Sequence, residues 1–230
     1  MRRGGEMVDT LALGASPRKG VEVQVLSSAP SFCMIMIKLI IFNFDGVIAD
    51  TLDLHTLVTK HFFPNSTKQD QIEHTMGNPL LKPKIPFERS MFAEYFSLYT
   101  DGMEAKLLFP IKDELIALTK KYTLVISSSA NQEAISKLFR LTGLTKAFSG
   151  IYDLNTAFDK IQKFHMIEKD YEVKPEECLF ITDTVGDVLQ AQKADIKTIA
   201  VTWGFHNKEL LQSAKPFAII DNIRELEKFI

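Results

Sequence analysis

Residues 40–51 read IIFNFDGVIADT. The stretch closes an apolar run, Ile37–Phe42, broken only by Lys38, and then turns polar at Asn43, Asp45 and Gly46. A short apolar run rich in β-branched residues reads as a strand buried on both faces, as in a parallel sheet. The same texture recurs as YTLVIS at 122–127, CLFIT at 178–182, KTIAVT at 197–202 and FAII at 217–220, with SGIY at 149–152 as a short addition. Helical patterns separate these runs. Pro110–Lys121 has Pro near its start and paired lysines at its end, as the helix dipole prefers. Asn131–Leu141 spaces Ala134, Ile135, Leu138 and Phe139 on one face and is closed by Gly143. Phe158–Tyr171 repeats the spacing with Ile161, Phe164 and Ile167, and Gly186–Ala194 is a shorter helix. Strands alternating with helices predict an α/β fold, a three-layer Rossmann-like parallel sheet.

One interval breaks the alternation. From Thr51 to Phe109 there are helical patches, best at His55–Phe62 and Phe87–Leu98, with Pro79, Pro83 and Pro86 between them and no clear strand. An insertion of that size is too long for a simple loop. The expectation is a small helical cap, residues 51–104, inserted after the first strand and standing over the carboxyl edge of a core built from 34–50 and 105–230.

Residues 1–31 differ from the rest. They contain no Phe, Ile, Asn, Tyr or His, and three of the six arginines (Arg2, Arg3, Arg18) fall there. Glu6, Asp9, Glu22 and the glycines argue against a targeting peptide. The segment resembles translation of upstream DNA fused to a later start at Met34 or Met36, and 1–33 is set apart from the fold as a non-native or disordered extension.

The formal net charge of −2 gives no electrostatic reason to expect a nucleic acid or an anionic membrane as partner. No run of apolar residues is long enough for a transmembrane helix. Cys33 and Cys178, 145 positions apart, suit neither a zinc site nor a disulfide framework, so a reducing, cytoplasmic setting is the expectation. P-loop, G-x-S-x-G and G-x-G-x-x-G motifs are absent, which removes the usual NTPase, esterase and dinucleotide readings.

Ligands of open parallel sheets bind beyond the carboxyl ends of the strands. The first strand is followed by Asn43, Asp45 and Asp50, the second by Ser127, Ser128 and Ser129, and the CLFIT strand by Asp183, Thr184 and Asp187. Asp45 and Asp183 offer oxygen ligands to a hard cation such as Mg²⁺. Ser127 leads into a helix N-terminus suited to phosphate.

At these residues the chain resembles the haloacid dehalogenase superfamily of phosphohydrolases. The motifs stand as IIFNFDGVIADT (40–51), LVISSSAN (124–131), Lys160 in FDKIQKF, and LFITDTVGD (179–187), in the family's order. The layout, with AVTWGF at 200–205, is similar to the phosphoglycolate phosphatase and β-phosphoglucomutase branch. The resemblance implies Asp45 as general acid and then base. It implies Ser127 and Lys160 on the transferring phosphoryl group. It also implies Mg²⁺ held by the residue at 43, the Asp45 carbonyl, Asp183 and Asp187. Thr51 and Ser128 are candidate substrate contacts.

The departure is Asn43. The family places its nucleophilic aspartate there, and an amide is a far poorer nucleophile. The reading is a Mg²⁺-dependent phosphatase of a small phosphorylated metabolite with impaired activity. The alternative is an inactive relative that binds a phosphorylated ligand or a protein partner. Plainer roles stand beside these. Lys163, one turn from Lys160, is the competing position for that role, and a solvated helix face is the plainer reading of such a lysine. Ser128, Ser129 and Asn131 are also possible helix caps. Trp203 reads as core, and the histidines form no ligand-spaced cluster, His55 being the best placed to face a substrate.

Overall fold

A computed structural model describes residues 36–74 and 85–230. The extension boundary expected at 33, Cys33, Met34, Pro79 and Pro83 lie outside the described residues, as do Lys82 and Lys84, which by sequence read with Arg89 as a solvated face. Six strands form one sheet: β1 (Leu39–Phe42), β2 (Thr123–Ser127), β3 (Gly150–Tyr152), β4 (Cys178–Thr182), β5 (Lys197–Val201) and β6 (Ala218–Ile220). Their order is β3-β2-β1-β4-β5-β6, and every pairing is parallel. The expected α/β architecture is the one observed.

The pleat explains why the strands read as continuous apolar runs. Side chains alternate between faces, and both faces are covered. Ile40 and Phe42 join Leu124, Ile126 and Ile181 in a cluster with Leu115, Ile135 and Leu138. These last three lie on α4 (Lys112–Leu118) and α5 (Gln132–Thr142). Leu39 and Ile41 point the other way and meet Phe164, Ile167 and Ala191. Those belong to α6 (Lys160–Tyr171) and α7 (Val185–Lys193). Gly143 closes α5 at φ +74°, the left-handed cap expected there. The α4 segment is shorter than the sequence suggests: Pro110 precedes the helix, and Lys120 and Lys121 fall in the turn after it.

Between β1 and β2 the chain forms α1 (Leu52–Phe62), α2 (Lys68–His74) and α3 (Phe92–Asp101), with a 3₁₀ turn at Arg89–Met91. Leu54, Val58, Tyr95, Tyr99 and Met103 carry this insertion into the main core. Two short helices, α2 and α8 (Lys208–Ser213), carry no clear period in the sequence. No helix among the described residues is long and apolar enough to cross a membrane.

Candidate functional site

The sheet order reverses direction at β1, and the crevice beyond the carboxyl ends of β1 and β4 is where such a sheet takes ligands. Asn43 follows β1 directly, and Asp183 follows β4 directly. The two side chains meet: Asn43 Nδ2 donates to Asp183 Oδ1 at 3.2 Å and to the Asp45 carbonyl at 2.8 Å. Asn43 Oδ1 accepts from Lys160 Nζ at 2.9 Å. The orientation of the amide is fixed by its partners, because Lys160 offers only donors while the Asp45 carbonyl and a carboxylate accept.

Lys160 opens α6 and is buried, although its motif is spread over a loop. Its ammonium donates to the Ser127 carbonyl at 2.6 Å and pairs with Asp187 Oδ2 at 3.3 Å. Asp187 also accepts from the Thr182 hydroxyl at 2.7 Å. Lys163 is buried too, donating to the Ser128 carbonyl at 2.5 Å, so the solvated reading of this lysine is corrected. The loop after β2 passes over α6, and its main-chain carbonyls require donors from below. Burial, followed by the nearby Lys160 charge, pushes the Lys163 amine down to about 7.

Asp183 is fully buried, with two glycines packed directly against it. A Cβ on Gly46, whose φ is +72°, would lie 1.9 Å from Asp183 Oδ2, and one on Gly204 would lie 2.3 Å from Asp183 Cβ. The Phe205 N–H donates to Oδ2 at 2.8 Å. Burial pushes the Asp183 carboxyl up to about 7, and Asp187 adds to the rise, against the bonds from Phe205 and Asn43.

Asp45 is held from the insertion. Its Oδ1 accepts from the Thr51 hydroxyl at 2.7 Å and from the Tyr99 hydroxyl, and His55 Nε2 stands 3.3 Å away. His55 stacks on Tyr99 with centroids 4.6 Å apart, and its Nδ1 lies 2.6 Å from the Tyr95 hydroxyl. Burial pushes Asp45 up, but His55, Tyr99 and Thr51 outweigh it and hold the carboxyl below its ordinary value. Thr51 therefore faces Asp45. Ser128 Oγ accepts from the Ala130 N–H at 3.0 Å, and Asn131 pairs with Thr100 at 3.0 Å. Ser127 differs, because its buried hydroxyl has no hydrogen-bond partner among the described residues. Trp203 packs against the main core and donates to the Val47 carbonyl at 3.2 Å.

Tyr95, Tyr99 and Phe205 were not singled out in the sequence. The tyrosines sit four apart on α3, a spacing that puts both on one face. Nothing in the sequence says that this face meets Asp45.

The sequence profile described as haloacid dehalogenase-like hydrolase matches residues 40–201. Pyrophosphatase PpaX of Oceanobacillus iheyensis is 26% identical over 205 residues, covering 83% of this chain and 95% of that protein. Among solved structures, a haloacid dehalogenase-like family protein of Streptococcus pneumoniae is 25% identical with a TM-score of 0.68, covering 84% of this chain and 98% of that one. CbbY of Rhodobacter sphaeroides, solved as an Asp-to-Asn variant with xylulose-(1,5)bisphosphate, shares the fold at 18% identity and a TM-score of 0.67, over 83% of this chain and 96% of that one.

Proposed function

The chain belongs to the haloacid dehalogenase-like hydrolase family, and from that membership we propose that it binds a phosphate monoester of a small metabolite and hydrolyses it slowly, Asn43 standing where the nucleophile belongs. One observation carries the reading: Lys160 Nζ lies 2.9 Å from Asn43 Oδ1, with Asp45 and Asp183 bonded to the same amide. A lysine, the Asp183 carboxylate, the Asp45 main-chain carbonyl and the residue at 43 thus converge on the end of β1.

The roles follow from chemistry. Lys160 places a buried positive charge where phosphoryl oxygens gather negative charge, and such preorganised charge is a large part of catalysis. The Ser127 hydroxyl, unpartnered and buried, has a free donor for a phosphoryl oxygen. Leaving such a group unsatisfied costs about 1–3 kcal/mol. Asp45 protonates the leaving oxygen and then takes a proton from water. The helical insertion acts as a cap that excludes water from this exchange. With a carboxylate at 43, its oxygen would attack phosphorus while the bond to the leaving oxygen breaks, giving an acyl phosphate. An amide does this poorly.

Mg²⁺ is the cation that the family resemblance implies, with Asp45, Asp183 and Asp187 as donors beside residue 43. In a phosphatase it would neutralise phosphoryl charge. It requires oxygen donors around one point. The Asp45 carbonyl and Asp183 Oδ1 do face one point, but Asn43 Nδ2, a donor, bonds to both. Turning the amide over would set its N–H groups against the Lys160 ammonium. As arranged, these residues do not fit a resident Mg²⁺.

That same satisfied amide favours the second reading, a protein that binds a phosphorylated ligand without turnover. Phosphatase assays with Mg²⁺ on a panel of small phosphate esters, run on this chain and on Asn43→Asp, separate the two. Slow turnover by this chain that rises sharply in Asn43→Asp supports the enzyme. Tight binding with turnover in Asn43→Asp alone supports the binding protein. Equal rates in both overturn the assignment of position 43.

A further inference from the structure

A cavity of about 400 Å³ opens from Asn43, Asp45 and Lys160. Its walls include Phe87, Phe92, Tyr95 and Phe96 from the insertion, and Phe158 and Phe205 from loops at the sheet edge. The insertion's rings brace one another edge to face. Tyr95 meets Phe87 at 5.2 Å and Phe96 at 5.4 Å, and Phe92 meets Phe96 at 6.2 Å between centroids. This is a preferred aromatic geometry, so the rings hold one another in place. Phe92, Tyr95 and Phe96 fall at i, i+3 and i+4 on α3, one stripe of the helix.

Phe158 is the telling residue. It is 81% exposed, yet it lines the cavity two positions ahead of Lys160, which lines it too. One loop therefore carries a charged contact for a phosphoryl group and an apolar contact for whatever is attached to it. Among the described lining residues, Lys160 is the one lysine or arginine, and Asn43, Ser127 and Asp187 already engage it. Among the described residues a second phosphate would find no further lysine or arginine within this cavity; Arg89 lines the adjoining one, which shares Phe92, Phe96 and Phe158.

We propose that this site takes a phosphate monoester whose leaving group carries an aromatic ring, held among Phe92, Phe96 and Phe158. The proposal rests on the phosphate-monoester reading above and narrows its substrate class. The slow chemistry of Asn43 makes direct binding measurable on the chain as it stands.

The test is calorimetric titration in Mg²⁺ buffer with four probes: inorganic phosphate, phenyl phosphate, glycerol 2-phosphate and pyrophosphate. Phenyl phosphate should bind about tenfold more tightly than glycerol 2-phosphate, the scale of one well-packed ring. Phe158→Ala, at an exposed position, should remove much of that advantage and leave the affinity for inorganic phosphate unchanged. Phenyl phosphate and glycerol 2-phosphate binding alike, with phosphate still bound, would overturn the aromatic chamber and leave the phosphate site standing. Pyrophosphate binding most tightly would overturn it in favour of a distal anion site. Failure of all four probes to bind would overturn both readings.

Discussion

Asn43 Nδ2 lies 3.2 Å from Asp183 Oδ1, an amide donor set against a buried carboxylate. A carboxylate at position 43 would bring a second negative charge to that contact, in a pocket that already holds Asp45 and Asp187. Like charges sharing a buried site drive one another toward protonation or toward a cation. The neutral amide removes the repulsion and bridges two oxygens with its own N–H groups.

Asn43→Asp should therefore acquire a response to Mg²⁺ that the present chain lacks. Thermal melts with and without Mg²⁺ should show the midpoint of the variant rising while that of the present chain stays put, as expected when an ion binds only the folded state. Its turnover should rise on the order of 10⁴- to 10⁶-fold, the range spanned by removing single members of a nucleophilic triad. Equal Mg²⁺ shifts in both proteins would show that the amide does not close the site.

Tyr99→Phe removes one of the donors on Asp45 Oδ1. The hydroxyl holds the carboxyl down, so its loss raises the Asp45 pKa. A general acid works only while protonated, and activity falls as pH rises through its pKa. The alkaline limb of the rate profile, followed in Asn43→Asp, should shift to higher pH with the second change. A limb that stays in place would detach Tyr99 from the acid.

Lys160→Met leaves Asp187 buried without its cation. Breaking a buried pair from one side costs about 3–5 kcal/mol. Urea melts should show a loss of that order, with phosphate affinity lost as well. Unchanged phosphate binding would move the anion contact elsewhere.

Folding should weaken in mild acid through His206. Burial holds its ring below the ordinary imidazole pKa, and its Nδ1 accepts the Val185 N–H at 3.0 Å. A depressed folded pKa means that the unfolded chain takes the proton first. Stability is then lost as pH falls below about 6.5 toward the folded value. Urea midpoints at about pH 7.5 and about pH 5.5 should differ less in His206→Gln than in the present chain. An equal difference would assign the acid loss to other groups.

The sheet was legible because its strands are buried on both faces, so CLFIT at 178–182 matches β4 residue for residue. The floor of the site was legible for a related reason. Asn43, Ser127 and Asp183 sit at or directly beyond strand ends, where topology fixes their direction. The roof was not. Two partners of Asp45, His55 and Tyr99, come from α1 and α3, whose approach depends on how Tyr95, Tyr99 and Leu54 pack, and periodicity does not encode that packing. Lys163 was misread because a helix-face lysine has no sequence mark of the loop carbonyl above it. Thr51 and Ser128 lie in the expected motifs, but their hydroxyls serve neighbouring groups of the chain.

Gly46 and Gly204 approach Asp183 from two loops, and neither position has room for a further carbon. This has a genetic consequence. The codons for Asn and Asp differ at a single base, and the backbone that an acidic residue 43 would face is already shaped around Asp183. A carboxylate at this position is one point mutation away, and the glycines beside Asp183 already stand in both loops.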